Sequence, residues 1–485
     1  MDRAENLDRS EGEPPAVATS GQVVARNFLA LGSGELIARG LAFAASIYMA
    51  RALGVEMYGV LGFATAVLLY FMRIADGGLD LVGMREIAAD HAAATRVVPS
   101  VFVFRILLAV TLVILLGGVA LLWLPRPDGP VLALYALTLI PIGLSTRWVH
   151  LGLERGGRAA AARVVEAGAV LLGIVLLVHG PGDVLAVPLA HLAGGMLGAV
   201  LLLAWLGPHR VPLAPRLDWP TLRPLLRRTW PMVAAALLGL LIYNSDLILL
   251  RLIRGPTVAG YYAAAYIPVS LPVNLGLAYR VSLLPTLTRV VDSRTKRLEL
   301  YHTATAHMFA AGFPIAVGGS LLAPKLMTSV FGASYEPAAG PLQLLIWSVP
   351  LCLLRDIPLV ALMAAGRESR VLRLTAWATA LNLLLNALLI PAYGMYGGAA
   401  ATVMTEGARM VTAAAAARDE GWALAGASRY WRSAGASAVM AAVLLLAVPA
   451  PIWLSIPLGA LAYVGALAAL GGISFRAGAL PTLNV

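Results

Sequence analysis

The sequence predicts an all-α, polytopic membrane protein with about fourteen transmembrane helices, arranged as two six-helix lobes plus two C-terminal helices. Three observations support this prediction. Of the 485 residues, 60% are hydrophobic and only 13% are charged, whereas soluble domains carry about 25% charged residues. Apolar runs of roughly 20 residues, long enough to cross a bilayer as helices, recur along the chain. Two short loop sequences also repeat 201 residues apart.

The chain begins with a polar, acidic and proline-containing stretch over residues 1–22. This stretch lacks the basic start and short apolar core of a signal peptide, so we expect a disordered cytoplasmic tail. Fourteen apolar runs follow, at about 26–50, 56–76, 99–124, 130–152, 159–179, 183–206, 228–253, 257–281, 299–323, 340–365, 371–391, 396–416, 434–448 and 452–473.

These runs divide the chain into consecutive parts. We expect an N-lobe of six helices over 23–206, a basic amphipathic linker on the cytoplasmic side over 207–227, and a C-lobe of six helices over 228–418. Helices 13 and 14 and a C-terminal tail occupy 419–485. Two polar connections, Asp80 to Val98 and Leu287 to Leu298, have apolar residues at helical spacing, which is typical of helices at the membrane interface or of plain solvated loops.

The connections also predict the orientation in the membrane. Most of their arginines and lysines lie in the even-numbered connections, and cytoplasmic loops carry this excess of positive charge. Both termini are therefore predicted to be cytoplasmic, in a multi-pass protein of the cytoplasmic (inner) membrane.

The internal repeat supports the division into two lobes. Gly54 and Gly59 lie between helices one and two, and Gly255 and Gly260 lie between helices seven and eight at the same spacing. Both lobes begin with the same direction of crossing, so the repeat is parallel and its axis should lie along the membrane normal.

Several function classes are excluded by the sequence. The net charge of +11 does not predict nucleic-acid binding, because the basic residues are spread over loops and form no single patch. The single cysteine, Cys352, precludes an internal disulfide, and no metal-ligand spacing occurs. No P-loop or nucleophile elbow appears. The outward loops are also too short for a membrane-bound polymerase or ligase, so we expect no enzyme activity and no cofactor.

Glu35 and Arg39 lie near the middle of the first apolar run. A charge at that depth costs roughly 2.5–3.5 kcal/mol on insertion scales, so it should face protein or a wet cavity. The spacing of four places both charges on one helix face, which Ala42 and Ser46 continue. This helix is predicted to line a hydrated space inside the bundle.

Three stretches of the chain resemble the oligosaccharide flippase family, which belongs to a superfamily with the lipid II flippases and the multidrug and toxin extruders. The first is Asn27 to Gly59 with Asp76 to Leu79 and Arg85 to Ala88; the second is Val330 to Tyr335 with Leu342 and Leu345; the third is Ala364 to Arg367 followed by Asn382 to Thr402 and Glu406. The third is the most specific, because its Asn, Pro, Gly and Glu positions match together.

The resemblance implies fourteen helices in two lobes facing a central cavity. It also implies transfer of polyprenyl-diphosphate-linked oligosaccharide across the membrane by alternating access, for O-antigen or another polysaccharide. Membrane lipids and this lipid-linked sugar are the expected partners, with polysaccharide polymerase or glycosyltransferase machinery as a further one, and a monomer is expected. A multidrug extruder and a lipid II flippase remain alternatives.

Such a substrate needs cations for its diphosphate, because unpaired charge is costly to bury. Arg39 is the first candidate, since arginine offers forked donors to phosphate and its position resembles that of a cavity arginine in lipid II flippases. An intrahelical pair with Glu35 is the alternative. Arg26 and Arg280 are expected at the cytoplasmic mouth, where they recruit phosphate or extend to lipid headgroups.

Asp246 lies in the seventh helix, directly after Asn244 and Ser245. It is a candidate for coupling to H⁺ or Na⁺, for pairing with Arg39 in the absence of substrate, or for a hydrogen bond to a neighbouring helix. Asn244 is included among the substrate-binding candidates.

Overall fold

The computed structural model describes residues 20–207, 217–423, 426, 429–474 and 482–483. The first half of these residues forms the helices α1 (Ser20–Asp76), α2 (Leu79–Ala89), α3 (Ala94–Trp123), α4 (Asp128–Ala136), α5 (Leu139–Leu144), α6 (Arg147–Gly152), α7 (Gly156–Leu177) and α8 (Ala186–Leu206). The second half forms α9 (Trp219–Arg254), α10 (Pro256–Val290), α11 (Arg294–Leu326), α12 (Ala339–Leu345), α13 (Ser348–Ala364), α14 (Glu368–Asp419), α15 (Trp431–Leu446) and α16 (Ile452–Ala469).

The predicted all-α membrane fold is confirmed. Eleven helical segments of the described chain are long and apolar enough to cross a membrane. Two of these contain a kink with positive φ, α1 at Gly54 and α14 at Gly394, and each covers two of the predicted apolar runs. α15 is apolar but shorter, so the count of fourteen stays a prediction. A two-residue strand, Ile473–Ser474, pairs antiparallel with Thr482–Leu483.

The predicted boundaries need correction at both polar segments. α1 begins at Ser20, so the last residues of the predicted tail are helical, while residues 1–19 lie outside the described residues. Residues 208–216 of the predicted linker also lie outside them. From Trp219 onward the linker is continuous with the seventh helix, because Leu222 and Leu225 are buried against α2 and neighbouring residues. Burial of these side chains favours continuing the helix over a free linker.

The predicted fourth helix is broken into α4, α5 and α6. Arg105, which is 1% exposed, approaches the second break from α3. Its guanidinium donates to the carbonyl of Ile142 at 2.8 Å and pairs with Asp80. It thereby satisfies a carbonyl at the end of α5, which buried backbone requires.

The two polar connections differ in structure. The first is helical over α2, followed by a 3₁₀ turn at His91–Ala93. Over the second, Leu287 to Leu298, α10 continues to Val290 and α11 begins at Arg294 after a short turn, so this stretch forms no separate helix. Leu287 is buried in the core of the second half, so this face of α10 packs against protein.

The two repeated segments, predicted between helices, place Gly59 within α1 and Gly260 within α10, and they pack directly on each other. A Cβ atom added to Gly59 would lie 1.9 Å from the carbonyl oxygen of Pro256, and one added to Gly260 would lie 2.0 Å from that of Val55. Val55 and Pro256 are separated by the same 201 residues as the two glycines. Each segment thus makes the same contact with the other, as a two-fold axis between them requires.

The two C-terminal helices pack on the outside of the second half. The hydroxyl of Tyr463 in α16 donates to the carbonyl of Ala310 in α11 at 2.6 Å. Met440 and Leu444 of α15 form a small apolar cluster with Leu322 of α11.

Candidate functional site

A chamber of about 310 Å³ lies between the two halves of the protein. α1, α4 and α8 contribute its first side, and α9 and α10 contribute its second. Its lining residues, called the chamber below, are Ala42, Ser46, Met49, Tyr58, Leu61, Gly62, Thr65, Tyr135, His191, Tyr243, Asn244, Asp246, Leu247, Tyr262, Ala263, Tyr266, Ile267 and Ser270. Pockets of roughly 300–1,000 Å³ are typical of small-molecule sites.

The kink of α1 brings two sections of that helix to the chamber. Gly54 has φ 73° and ψ 174°, a conformation that a glycine adopts without strain. Ser46 lies before the kink and Tyr58 after it, and their hydroxyl oxygens are 2.7 Å apart. The sections of α1 before and after the kink therefore both line the chamber.

Aromatic rings and hydroxyl groups dominate the lining. Five tyrosines and one histidine border the chamber, namely Tyr58, Tyr135, Tyr243, Tyr262, Tyr266 and His191. The rings of Tyr135 and His191 lie with their centroids 5.5 Å apart. Thr65 and Ser270 each donate their hydroxyl to a carbonyl of their own helix, at 2.8 Å. Such a surface offers flat apolar faces together with polar tips.

Asp246 is the carboxylate of the chamber. It is 1% exposed, and its Oδ2 accepts a hydrogen bond from the Tyr262 hydroxyl at 2.5 Å and another from Thr402 at 3.3 Å. Its Oδ1 accepts from the backbone N–H of Leu247 at 2.8 Å. Within the described part of the chain no arginine or lysine pairs with it. In this structure Asp246 is therefore held by hydrogen bonds to neighbouring helices and is separate from Arg39.

Arg39 and Glu35 form the ion pair that their spacing predicts. The Arg39 Nε lies 2.9 Å from Glu35 Oε1, and the two side chains are 44% and 36% exposed. Neither residue lines the chamber, but Ala42 and Ser46 on the same face of α1 do. At a rise of 1.5 Å per residue, Arg39 lies about one helical turn from the chamber along that face.

The other predicted site residues lie in different places. Asn244 lines the chamber, and its amide donates to the Leu240 carbonyl at 3.1 Å. Arg280 lies outside the chamber, with its Nη1 3.6 Å from Asp356 Oδ1. Arg26 belongs to α1, where its side chain is outside the described part of the structure.

Several buried charged residues form one cluster behind the chamber, and the sequence analysis did not predict that they meet. Arg355 donates to Glu406, to Asp356 at 2.8 Å and to the Tyr243 hydroxyl at 3.0 Å. Arg409 donates to Glu406 at 2.5 Å and to the same hydroxyl at 3.4 Å. The sequence signal was the presence of charges in the apolar runs of α13 and α14; their meeting at Tyr243 depends on how these helices pack against α9.

Hydrogen bonds between side chains join α9 to α14 beside Asp246. Asn386 donates to Ser245 at 3.2 Å and to Asn382 at 3.0 Å, and Asn382 donates to Thr405 at 3.3 Å. All four residues are buried. These asparagines therefore hold helices together, as polar side chains often do in membrane bundles.

Beyond the chamber, the two halves are held together on the side that the loop charges predict to be outward. Arg251 at the end of α9 pairs with both carboxylate oxygens of Asp128 at the start of α4. Arg51 of α1 donates to the carbonyls of Val330 at 2.8 Å and Ser329 at 2.5 Å. Asp128 and Ser329 are 201 residues apart and Arg51 and Arg251 are 200 apart, so the two contacts connect approximately equivalent positions of the repeat.

Of the described residues, no three histidine, cysteine, aspartate or glutamate side chains group in a way that could hold a metal ion. The binding chemistry available to the chamber is thus stacking, hydrogen bonding and the single carboxylate of Asp246.

Comparison with known proteins identifies related folds. The chain is similar to a lipid II flippase MurJ in an inward-closed conformation, with TM-score 0.75 and 14% identity over 91% of this chain and 98% of that one. It is also similar to an inward-facing multidrug resistance MATE family transporter of the MOP superfamily, with TM-score 0.65 and 16% identity over 78% and 93% of the two chains. A search of curated proteins gives no match.

A third similar structure is a MOP superfamily transporter from Pyrococcus furiosus, with TM-score 0.53 and 14% identity over 82% of this chain and 95% of that one. At these identities the structures establish the fold. A sequence model described as "Polysaccharide biosynthesis protein" matches residues 24–291, more than half of the chain. The chain thus has the fold of the MOP exporter superfamily and belongs to the polysaccharide biosynthesis protein family.

Proposed function

We propose that this protein transfers a polyprenyl-diphosphate-linked oligosaccharide across the cytoplasmic membrane by alternating access. The observation that carries the proposal is a polar, aromatic chamber between two halves that contact each other reciprocally at one end. A sugar cannot cross hydrocarbon with its hydrogen-bonding groups unpaired, and such a chamber supplies partners for them. Membership of a polysaccharide biosynthesis family supports the same substrate class.

The parts of the substrate would occupy different parts of the protein. The sugar head enters the chamber, while the diphosphate binds Arg39 one turn away on the same face of α1 and replaces Glu35 as its partner. Arg26 and Arg280 attract the anionic head group at the cytoplasmic mouth. The prenyl tail stays in the lipid between the two halves. The proposed transport unit is a monomer, and both sides of the chamber come from a single chain.

A full cycle requires the contact on the outward side to open. Gly59, Gly260, Arg51 and Arg251 would separate from their partners while the inward side closes around Arg39. The sugar and diphosphate then leave on the outer surface, where polymerase or glycosyltransferase machinery uses them. We propose that both termini lie in the cytoplasm, on the side of the arginine-rich connections.

The deciding experiment is a leaflet assay in proteoliposomes containing the full chain. A fluorescent polyprenyl-diphosphate sugar is added to both leaflets, and a membrane-impermeant enzyme modifies only the outer one. Faster loss of the protected pool than in protein-free liposomes supports the proposal. Transfer of lipid II alone would indicate a lipid II flippase, and efflux of cationic dyes without lipid transfer would indicate a multidrug extruder.

Asp246 is proposed as the residue that couples transport to H⁺ or Na⁺. It is a carboxylate at bilayer depth whose partners are the hydroxyls of Tyr262 and Thr402, and no arginine or lysine in the described chain offsets its charge. Charged groups of this kind inside membranes commonly mark ion pathways. Asp246→Asn should abolish the acceleration that an H⁺ or Na⁺ gradient produces in the leaflet assay. Unchanged gradient dependence in this variant would remove the coupling role.

A further inference from the structure

The chamber has an unusual charge balance for a site that is proposed to accept an anionic lipid. Its lining residues, all within the described chain, contain no arginine and no lysine. Asp246 is the carboxylate among them. The one titratable base is His191, whose Nδ1 lies 3.0 Å from the carbonyl oxygen of Val187.

The arginines behind the chamber are engaged with carboxylates. Arg355 and Arg409 lie behind Tyr243, and both donate to Glu406, which is 0% exposed. Arg355 also donates to Asp356. Removing one partner of a buried ion pair is strongly unfavourable, so these guanidinium groups are not available to a ligand in the chamber.

Arg39, in contrast, is available to a ligand. Its side chain is about half exposed, and an exposed ion pair such as the one with Glu35 contributes little free energy. It lies outside the chamber, about one helical turn along α1. The protein therefore separates a cationic position, suited to a diphosphate, from a chamber without cations.

We propose that this chamber selects sugars that carry no negative charge. A neutral hexose or N-acetylhexosamine can stack its C–H faces on the tyrosine rings and hydrogen-bond the hydroxyls and Asn244. A uronic acid would bring a carboxylate into a site that offers it no cation and places it near Asp246. The inference rests on the proposed function and names its substrate class.

The test compares two matched substrates in the leaflet assay with the full chain. The two polyprenyl-diphosphate disaccharides differ only at C6 of the terminal sugar, which is glucose in one and glucuronic acid in the other. The assay runs at pH 8, above the ordinary histidine pKa of about 6.5, so that imidazoles are neutral. We expect the neutral substrate to cross at least tenfold faster.

A chamber variant provides an independent check. Ser270 bonds only its own helix at the Ile267 carbonyl, so its replacement leaves no partner on another helix unpaired. Ser270→Lys should raise the transfer rate of the acidic substrate and so lower the ratio of the neutral rate to the acidic rate. The uncharged control Ser270→Gln should leave this ratio unchanged.

The outcomes separate the two proposals. Equal rates for both substrates, or a faster acidic one, would overturn the charge selection and leave the transport function standing. If neither substrate crosses faster than in protein-free liposomes, the transport function fails and the charge selection fails with it. The ratio of the neutral to the acidic transfer rate in the unaltered protein tests the charge selection even if Ser270→Lys does not fold.

Discussion

In the proposed transport cycle Arg39 has two partners, Glu35 without substrate and the diphosphate with it. Its ion pair with Glu35 is intrahelical and exposed, so it is worth only about 0.2–0.5 kcal/mol. A diphosphate offers more oxygens and more negative charge than one carboxylate, and bidentate arginine–phosphate contacts are stronger. The pair therefore holds the guanidinium in place at little cost to substrate binding.

For this residue we predict that Arg39→Ala abolishes transfer of the lipid-linked sugar, whereas Arg39→Lys retains part of it. Lysine keeps the charge and loses the forked donors. The amount of protein in the membrane should stay normal, because an exposed pair contributes little to stability. Surface polysaccharide in cells and the leaflet assay are the two measurements, with Glu35→Gln as the control that removes only the intrahelical partner. Full activity of Arg39→Ala would exclude it from phosphate binding.

The ion pairs around Arg355 differ from the Arg39–Glu35 pair because they are buried. Glu406 accepts from two arginines and is inaccessible to the surroundings. Loss of one member leaves an uncompensated charge, which typically costs 3–5 kcal/mol.

We therefore predict that Glu406→Gln lowers the melting temperature of the purified protein, whereas Glu35→Gln does not. Thermal unfolding in detergent, followed by loss of monodisperse protein, measures both variants. Equal melting temperatures for the two would show that the cluster does not stabilise the fold.

At the scale of elements, the contact between α1 and α10 depends on two helical glycines, Gly59 and Gly260, that have no room for a side chain. A Cβ on Gly59 or Gly260 would meet a backbone carbonyl at about half the normal contact distance, at 1.9 and 2.0 Å. Backbone cannot move aside as a flexible side chain can. The close packing of the outward end thus depends on the absence of these side chains.

Gly59→Ala and Gly260→Ala are accordingly predicted to reduce transfer at least tenfold, because the two halves can no longer meet at this end. Gly32→Ala is a matched control within α1, since an added Cβ there has nothing within 4 Å. Alanine at an open helical position should be neutral or slightly stabilising, by up to about 1 kcal/mol. The leaflet assay compares all three variants at equal protein level. Normal transfer by both the Gly59 and the Gly260 variant would contradict the proposed role of this contact.

At the scale of the whole molecule, two layers of contacts join the two halves at the outward end. The glycine contacts form one layer, and Arg51 and Arg251 form the other by reaching from one half to the other. Asp128 is 2% exposed, so its pair with Arg251 is largely shielded from solvent. The pair should favour the state in which the outward end is closed.

Breaking this pair should shift the population toward an open outward end. In a background of Cys352→Ser, the chamber residue Ala263 is changed to cysteine as a reporter. A membrane-impermeant thiol reagent, applied from outside, should label the Arg251→Asp variant at least fivefold faster than the reporter protein alone. The exchange of both charges, Arg251→Asp with Asp128→Arg, should restore protection. Equal labelling in all three proteins would show that the pair does not hold this end closed.

Local patterns in the sequence were sufficient for several features. The length of the apolar runs, the helical pairing of Glu35 with Arg39 and the repeated glycine loops depend only on residues close together or on a simple offset. The all-α membrane fold was predictable because a helix in lipid satisfies its backbone hydrogen bonds internally. Helix ends were less predictable, as α9 shows, because Leu222 and Leu225 extend it by packing on distant residues.

By itself, the sequence determined that this protein is a polytopic helical bundle with a parallel repeat and charges at bilayer depth. Tertiary structure alone decided which of those charges meet. Arg251 pairs with Asp128 and Arg355 with Glu406, while Asp246 has hydroxyl partners and borders a chamber without cations. The reason is physical: helical periodicity assigns a side chain to a face, but the partner of that face depends on how distant helices pack.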